Sequence, residues 1–155
     1  MARASVGGQV GTALRRCVYP LVALPTGLWS LALTLAGRRQ SAVAAQLMTL
    51  RALLAVETRP PTPRRLLAHL LVGLPVNIVA FAVGGYTWLL LPMNLAYPLR
   101  SGETQTAWGG PTMAGAWTFH AVVGTLVFVV VGMPLLAGVA WLQGRLARTL
   151  LAGRG

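Results

Sequence analysis

The sequence predicts an all-α integral membrane protein. It should comprise two long transmembrane helices, a Pro-broken first apolar segment (re-entrant or a third span) and two amphipathic inner-leaflet helices. Three observations lead there. Of 155 residues, 55% are apolar and only 10% charged, whereas about a quarter of a soluble domain is charged. The mean hydropathy is +0.67. The 13 basic residues are all arginine and the 2 acidic ones are Glu57 and Glu103; they gather between long uncharged stretches, as charges do in membrane proteins. The net charge of +11 would suggest a nucleic-acid partner only on a soluble basic face, so none is expected. A single cysteine, Cys17, excludes an intrachain disulfide framework.

Taken in order, residues 1–16 read as a cytoplasmic N-terminal segment carrying Arg3, Arg15 and Arg16. Residues 17–37 are uncharged, but Pro20, Pro25 and Gly27 weaken them as a continuous helix. An A-x-A cleavage site is missing after this stretch, so it is not expected to be a removable leader. Residues 40–56 form an amphipathic helix inside an Arg-rich connection (Arg38, Arg39, Arg51, Arg59, Arg64, Arg65). Helices at 66–91 and 117–142 exceed the roughly 20 apolar residues a span requires, and lipid leaves their backbone no partner but itself. Between them lies an outer loop, 92–116, where Arg100 is balanced by Glu103. The second helix runs into an amphipathic helix ending at 151, with a tail at 153–155; residues 17–152 read as one membrane domain. Arginine placement puts 1–16, 38–65 and 143–155 in the cytoplasm and 92–116 outside, a multi-pass plasma-membrane protein with both termini inside.

The chain also repeats itself. Leu21-Val22-Ala23-Leu24-Pro25 recurs as Leu71-Val72-Gly73-Leu74-Pro75, offset by 50 residues. Gln46, Arg51, Leu53, Leu54 and Ala55 recur as Gln143, Arg148, Leu150, Leu151 and Ala152, offset by 97. The second half is therefore the longer one, by enough for the outer loop and a returning helix. Each closing signature lies on a helical stripe, Val43/Leu47/Leu50/Leu54 and Val139/Leu142/Leu146/Leu150, with Arg and Gln off its centre.

Catalysis is not expected. Without Asp there is no Ser-His-Asp triad, and Glu57 and Glu103 fall on opposite sides of the membrane. His69 and His120 belong to opposite ends of the spans, too far apart to ligate one haem; His69 should sit among headgroups and His120 should hydrogen-bond near the outer loop. No cofactor or metal is expected. The candidate sensing surface is the outer loop and its flanks: Asn94, Tyr97, Arg100, Glu103, Trp108, Trp117 and His120. Within the helices, Asn77 should face protein, Ala80 and Gly84 should allow close helix contact, and Pro134 should kink the third apolar segment.

Ala96-Tyr97-Pro98-Leu99-Arg100, Trp108-Gly109-Gly110-Pro111-Thr112, Gly115-Ala116-Trp117, His120 and Leu142-Gln143-Gly144-Arg145-Leu146-Ala147-Arg148 follow one another in an order that resembles the membrane sensor domain of actinobacteria. In that family the domain precedes the histidine kinase of a two-component system. The resemblance implies a non-catalytic, multi-pass sensor-like module, passing an extracytoplasmic or bilayer stimulus to a histidine kinase or another cytoplasmic signalling protein, with the bilayer and a second copy of the chain as further partners. Two departures accompany it: the family commonly has four spans, and no kinase segment follows Leu151. The rival readings are a small transporter or permease subunit and a structural membrane partner.

Overall fold

The fold is that of a computed structural model describing residues 6–99 and 106–151. It consists of α1 (Val6–Leu35), α2 (Arg39–Leu54), α3 (Pro63–Leu95), a 3₁₀ turn (Tyr97–Leu99), α4 (Met113–Val127), a π-helical segment (Phe128–Gly132) and α5 (Met133–Leu151). No strand occurs among the described residues. Three helical runs are long and apolar enough to cross a membrane: Val10–Leu35, Pro63–Leu95 and Met113–Leu151. They present bare apolar side chains outward, among them Ile78, Val79, Leu89, Leu126 and Val130, a surface suited to lipid rather than water. The expected 92–116 loop is shorter than the sequence suggests, because α3 runs on to Leu95 and α4 begins at Met113. Arg100, Glu103 and the 153–155 tail lie outside the described residues.

The first apolar segment is not broken. α1 runs helically through both Pro20 and Pro25. Proline removes one backbone bond and crowds the carbonyl four residues back, yet in an apolar setting the flanking backbone has nothing else to bond to and stays helical. Pro20 is itself buried, and its ring lies where a side chain on Gly84 of α3 would come within 3.3 Å of it. Gly37, at φ +77°, ends the helix. The Arg38 amide donates to the Leu33 carbonyl and the Gly37 amide to Thr34, the paired bonds of a Schellman cap.

The helices gather into two compact units, Met1–Gly84 with Leu136–Gly155, and Gly85–Leu135. In the first, α2 packs against α1. Its buried face is Ala42, Gln46, Leu47 and Leu50, so the expected stripe is turned and Gln46 sits inside it. Left-handed Ala55 (φ 52°) ends α2, and the connection that follows tucks Val56 and Thr58 inward. Tyr19, Ala23, Leu50, Val56, Ala140, Ala147 and Leu151 form one core cluster; Leu33, Ala42, Leu66 and Leu70 form another.

The expected Leu stripe of the closing helix is likewise displaced. α5 buries Leu136, Ala140, Gln143, Gly144, Ala147 and Leu151, while Leu142 is exposed. Between the buried Leu136 and Leu151, the face turned toward protein is made of small and polar residues, Ala140, Gln143, Gly144 and Ala147, as is common where helices pack in lipid. His69 is buried at 6% exposure, with its Nδ1 unpartnered among the described residues.

The two halves of the repeat bury matching positions. Tyr19, Pro20, Ala23 and Ser30 of α1 are buried, and so are His69, Leu70, Gly73 and Ala80 of α3, their counterparts at offset 50. Gln46, Leu47 and Leu50 of α2 are buried, and so are Gln143, Gly144 and Ala147 of α5, at offset 97.

In the second unit, Gly124 and Gly132 let the returning chain approach α3 closely. A Cβ on Gly124 would lie 2.6 Å from Asn94, and one on Gly132 would lie 2.8 Å from Thr87. Trp88 meets Phe128 edge to face at 5.3 Å. The kink expected at Pro134 takes the form of the π segment just before it. The ring of Pro134 crowds the carbonyl of Val130 inside that segment, where a wider turn relieves the clash.

Candidate functional site

Two polar constellations emerge, one in each unit. The first is a set of amide bonds between helices. Gln46 on α2 donates through Nε2 to the Ser30 hydroxyl (3.2 Å) and the Thr26 carbonyl (3.4 Å) of α1. Gln143 on α5 donates through Nε2 to Asn77 Oδ1 on α3 (2.8 Å). The closing glutamine of each half thus bonds the helix that carries the Leu-Pro signature. Asn77 faces protein, and Ala80 and Gly84 are buried on the same helix, Gly84 against Leu21, Pro20 and Leu136. Asn77→Leu should lower stability by about 1 kcal/mol, because Gln143 keeps no partner for its buried amide. Adding Gln143→Leu should recover part of that loss. A double-variant cycle of denaturation in detergent measures the coupling; additive losses would contradict it.

The second constellation lies at the outer-loop end of the second unit. Tyr97, in the 3₁₀ turn after α3, stacks on His120 of α4 with ring centroids 4.1 Å apart and planes 18° from parallel. Phe119 meets His120 edge to face at 5.8 Å, and Trp108 meets Phe119 edge to face at 5.8 Å. Four rings therefore run in series from the end of α3 to the turn before α4. His120 Nδ1 donates to the Ala116 carbonyl at 2.8 Å, which fixes the ring against its own helix. Trp117 Nε1 donates to the Leu95 carbonyl at 2.9 Å, satisfying one of the carbonyls left open at the end of α3. Asn94 is half-buried, donates to the Leu90 carbonyl one turn back and packs on Gly124.

Local sequence explains the turn. Gly109 and Gly110 both take positive φ (104° and 102°), which only glycine adopts without cost. Thr112 caps α4, its hydroxyl accepting from the Gly115 amide at 3.1 Å, the usual N-cap bond. The turn leaves Trp108 with one face on Phe119 and 76% of its surface open. A cleft of about 160 Å³ beside the stack is lined by Leu90, Asn94, Phe119, His120, Val123, Gly124 and Val127.

Of the residues expected here, Tyr97, Trp108 and His120 belong to one ring series, Asn94 and Trp117 flank it, and Arg100 and Glu103 lie outside the described residues. Phe119 was not among them, although it is the ring that joins Trp108 to His120; its position directly before His120 is the sequence signal. Groups of three or more His, Cys, Asp or Glu able to hold a metal are absent among the described residues. Comparison with protein-family models, with curated proteins and with solved structures finds no match.

Proposed function

We propose that the chain is a non-catalytic, multi-pass membrane sensor-like module. A stimulus outside the cell or in the outer leaflet acts on the Tyr97–His120–Phe119–Trp108 series and is passed to a cytoplasmic signalling protein, a histidine kinase being the partner implied by the sequence resemblance. One observation carries this reading. Two of the stacked rings, Phe119 and His120, belong to the helical run Met113–Leu151, which continues through the π segment to the arginines at its far end. A displacement of the rings therefore has a continuous helix along which to travel, and a π segment is a common place for such a helix to shift register. Trp108→Ala should reproduce the transcriptional profile of a deletion strain. A profile identical to wild type would overturn the sensing role.

The proposed topology has the 92–116 loop outside and both termini in the plasma membrane's cytoplasmic compartment. Support comes from the arginine distribution and from Arg16 and Arg148 lining one cavity, which sets Arg16, within the first half of α1, beside the end of α5. On this reading both flanks of α1 lie on one side although the helix is unbroken and long enough to cross, so its topology is the part of the proposal the fusions test most directly. Reporter fusions at residues 16, 40, 60, 105 and 155 should report outside only at 105. An inside signal at 105 reverses the orientation; an outside signal at 16 makes α1 a full span. A permease subunit is the second reading, favoured by the buried amides Gln46 and Gln143 and the half-buried Asn77; flux in proteoliposomes would establish it.

A further inference from the structure

The first unit holds a cavity of about 90 Å³ lined by Arg16, Leu54, Val56, Ala140, Trp141, Gly144 and Arg148. We propose that this cavity binds a phosphate oxyanion, presented by an anionic phospholipid headgroup or as free phosphate, between the guanidinium groups of Arg16 and Arg148.

The lining contains two cations and no carboxylate. Like charges that share a cavity repel, and an anion between them removes that cost. Guanidinium forks match phosphate oxygens in pairs, with geometry that a lysine does not offer. A third arginine stands close by: the Arg145 guanidinium lies over the Trp141 ring, 5.5 Å from its centroid. The volume is that of a few water molecules, the scale of one phosphate group.

Gly144 keeps the space open. A Cβ there would meet Leu54 Cδ1 at 3.2 Å, Arg148 Nη1 at 3.8 Å and Val56 Cγ2 at 3.9 Å, so a larger side chain would project among the residues that form the cavity. Leu54, Val56 and Trp141 give it apolar walls, as a headgroup above its glycerol and acyl chains requires. Basic pockets between membrane helices take lipid headgroups by this chemistry. The inference stands independently of any signalling role.

The test uses the full chain, purified in detergent and stripped of lipid, with dioleoylphosphatidylglycerol titrated in and bound lipid counted by native mass spectrometry. Arg16→Gln/Arg148→Gln should weaken binding at least tenfold, while Arg38→Gln/Arg39→Gln, which removes the same charge outside the lining, should change it less than threefold. Gly144→Val keeps every charge and should weaken binding as much as the first pair; it decides the matter if the double variant does not fold. Inorganic phosphate that displaces the lipid supports free phosphate as the ligand, and lipid binding indifferent to phosphate supports the headgroup. Equal losses in both arginine pairs, unchanged binding in the cavity variants, or equal displacement by acetate would overturn the proposal.

Discussion

Gly124→Leu should prevent the second unit from folding. The position faces Asn94 so closely that a Cβ would lie 2.6 Å from both its Cβ and Cγ. These atoms sit near the α3 backbone and cannot swing aside as the tip of a long side chain would. Overpacking of this kind costs about 1–3 kcal/mol, and more where the backbone must move. A branched side chain forces α4 away from α3, and with it the Trp117 bond to Leu95 and the contact of Gly132 with Thr87. The loss should reach about 3 kcal/mol, a large part of the stability of a small domain. Thermal unfolding in detergent should show a melting temperature far below wild type or no cooperative transition. Gly85→Ala is the matched control. Nothing lies within 4 Å of a Cβ there, so alanine should be neutral or stabilising by up to about 1 kcal/mol through helix propensity. Equal melting of Gly124→Leu and wild type would show that the close approach is not made.

Gly109→Val should take Trp108 off Phe119. Positive φ costs a β-branched residue about 1–3 kcal/mol, and the Cβ would also lie 2.5 Å from the Gly115 carbonyl and 2.6 Å from Phe119 Cβ. The turn must open, and the outermost ring leaves the series. Gly110→Val separates the two costs, because its φ is equally positive but nothing stands within 4 Å of its Cβ. With fluorotryptophan label, the Trp108 resonance should move toward the free amino acid in Gly109→Val and much less in Gly110→Val. If the two variants shift it equally, backbone conformation alone holds the tryptophan. The same pair should rank identically in signalling output if the ring series carries the stimulus.

The long helices were legible because charge and lipid act at the scale of whole segments. Arg65 and Arg100 bracket an uncharged run that could be read as a membrane helix without knowing any neighbour. The faces of the helices were harder, since the rule for finding them inverts with the solvent. A stripe of Leu142, Leu146 and Leu150 marks the inside of a water-soluble helix; here Ala140, Gly144 and Ala147 take that place. Gln46 and Gln143 stood out as a repeated pair, yet their partners Ser30 and Asn77 come from distant segments and no spacing reveals them. Pro20 and Pro25 misled for a related reason. The penalty for proline in a helix assumes water is ready to take over the freed backbone groups. At the loop end, Tyr97, Trp108 and His120 were visible as residue types, but their order in a stack depends on Phe119 and on the turn at Gly109. The π segment leaves no mark in composition, because one extra residue in a run of valines alters no pattern.

The matching burial of the two halves also says where the chain tolerates novelty. At an offset of 50, Gly84 corresponds to Thr34; at an offset of 97, Leu136 corresponds to Arg39. Residues 85–135 thus stand where the first half has only the short turn around Gly37. Gly84 and Leu136 approach each other within the first unit, as the ends of any exchangeable cassette must. Grafting a hairpin of different sequence between these two residues leaves the Gln46 and Gln143 bonds untouched. If the proposed sensing role holds, one contiguous stretch of gene carries the ring series, and the residues that join the two halves of the repeat lie outside it.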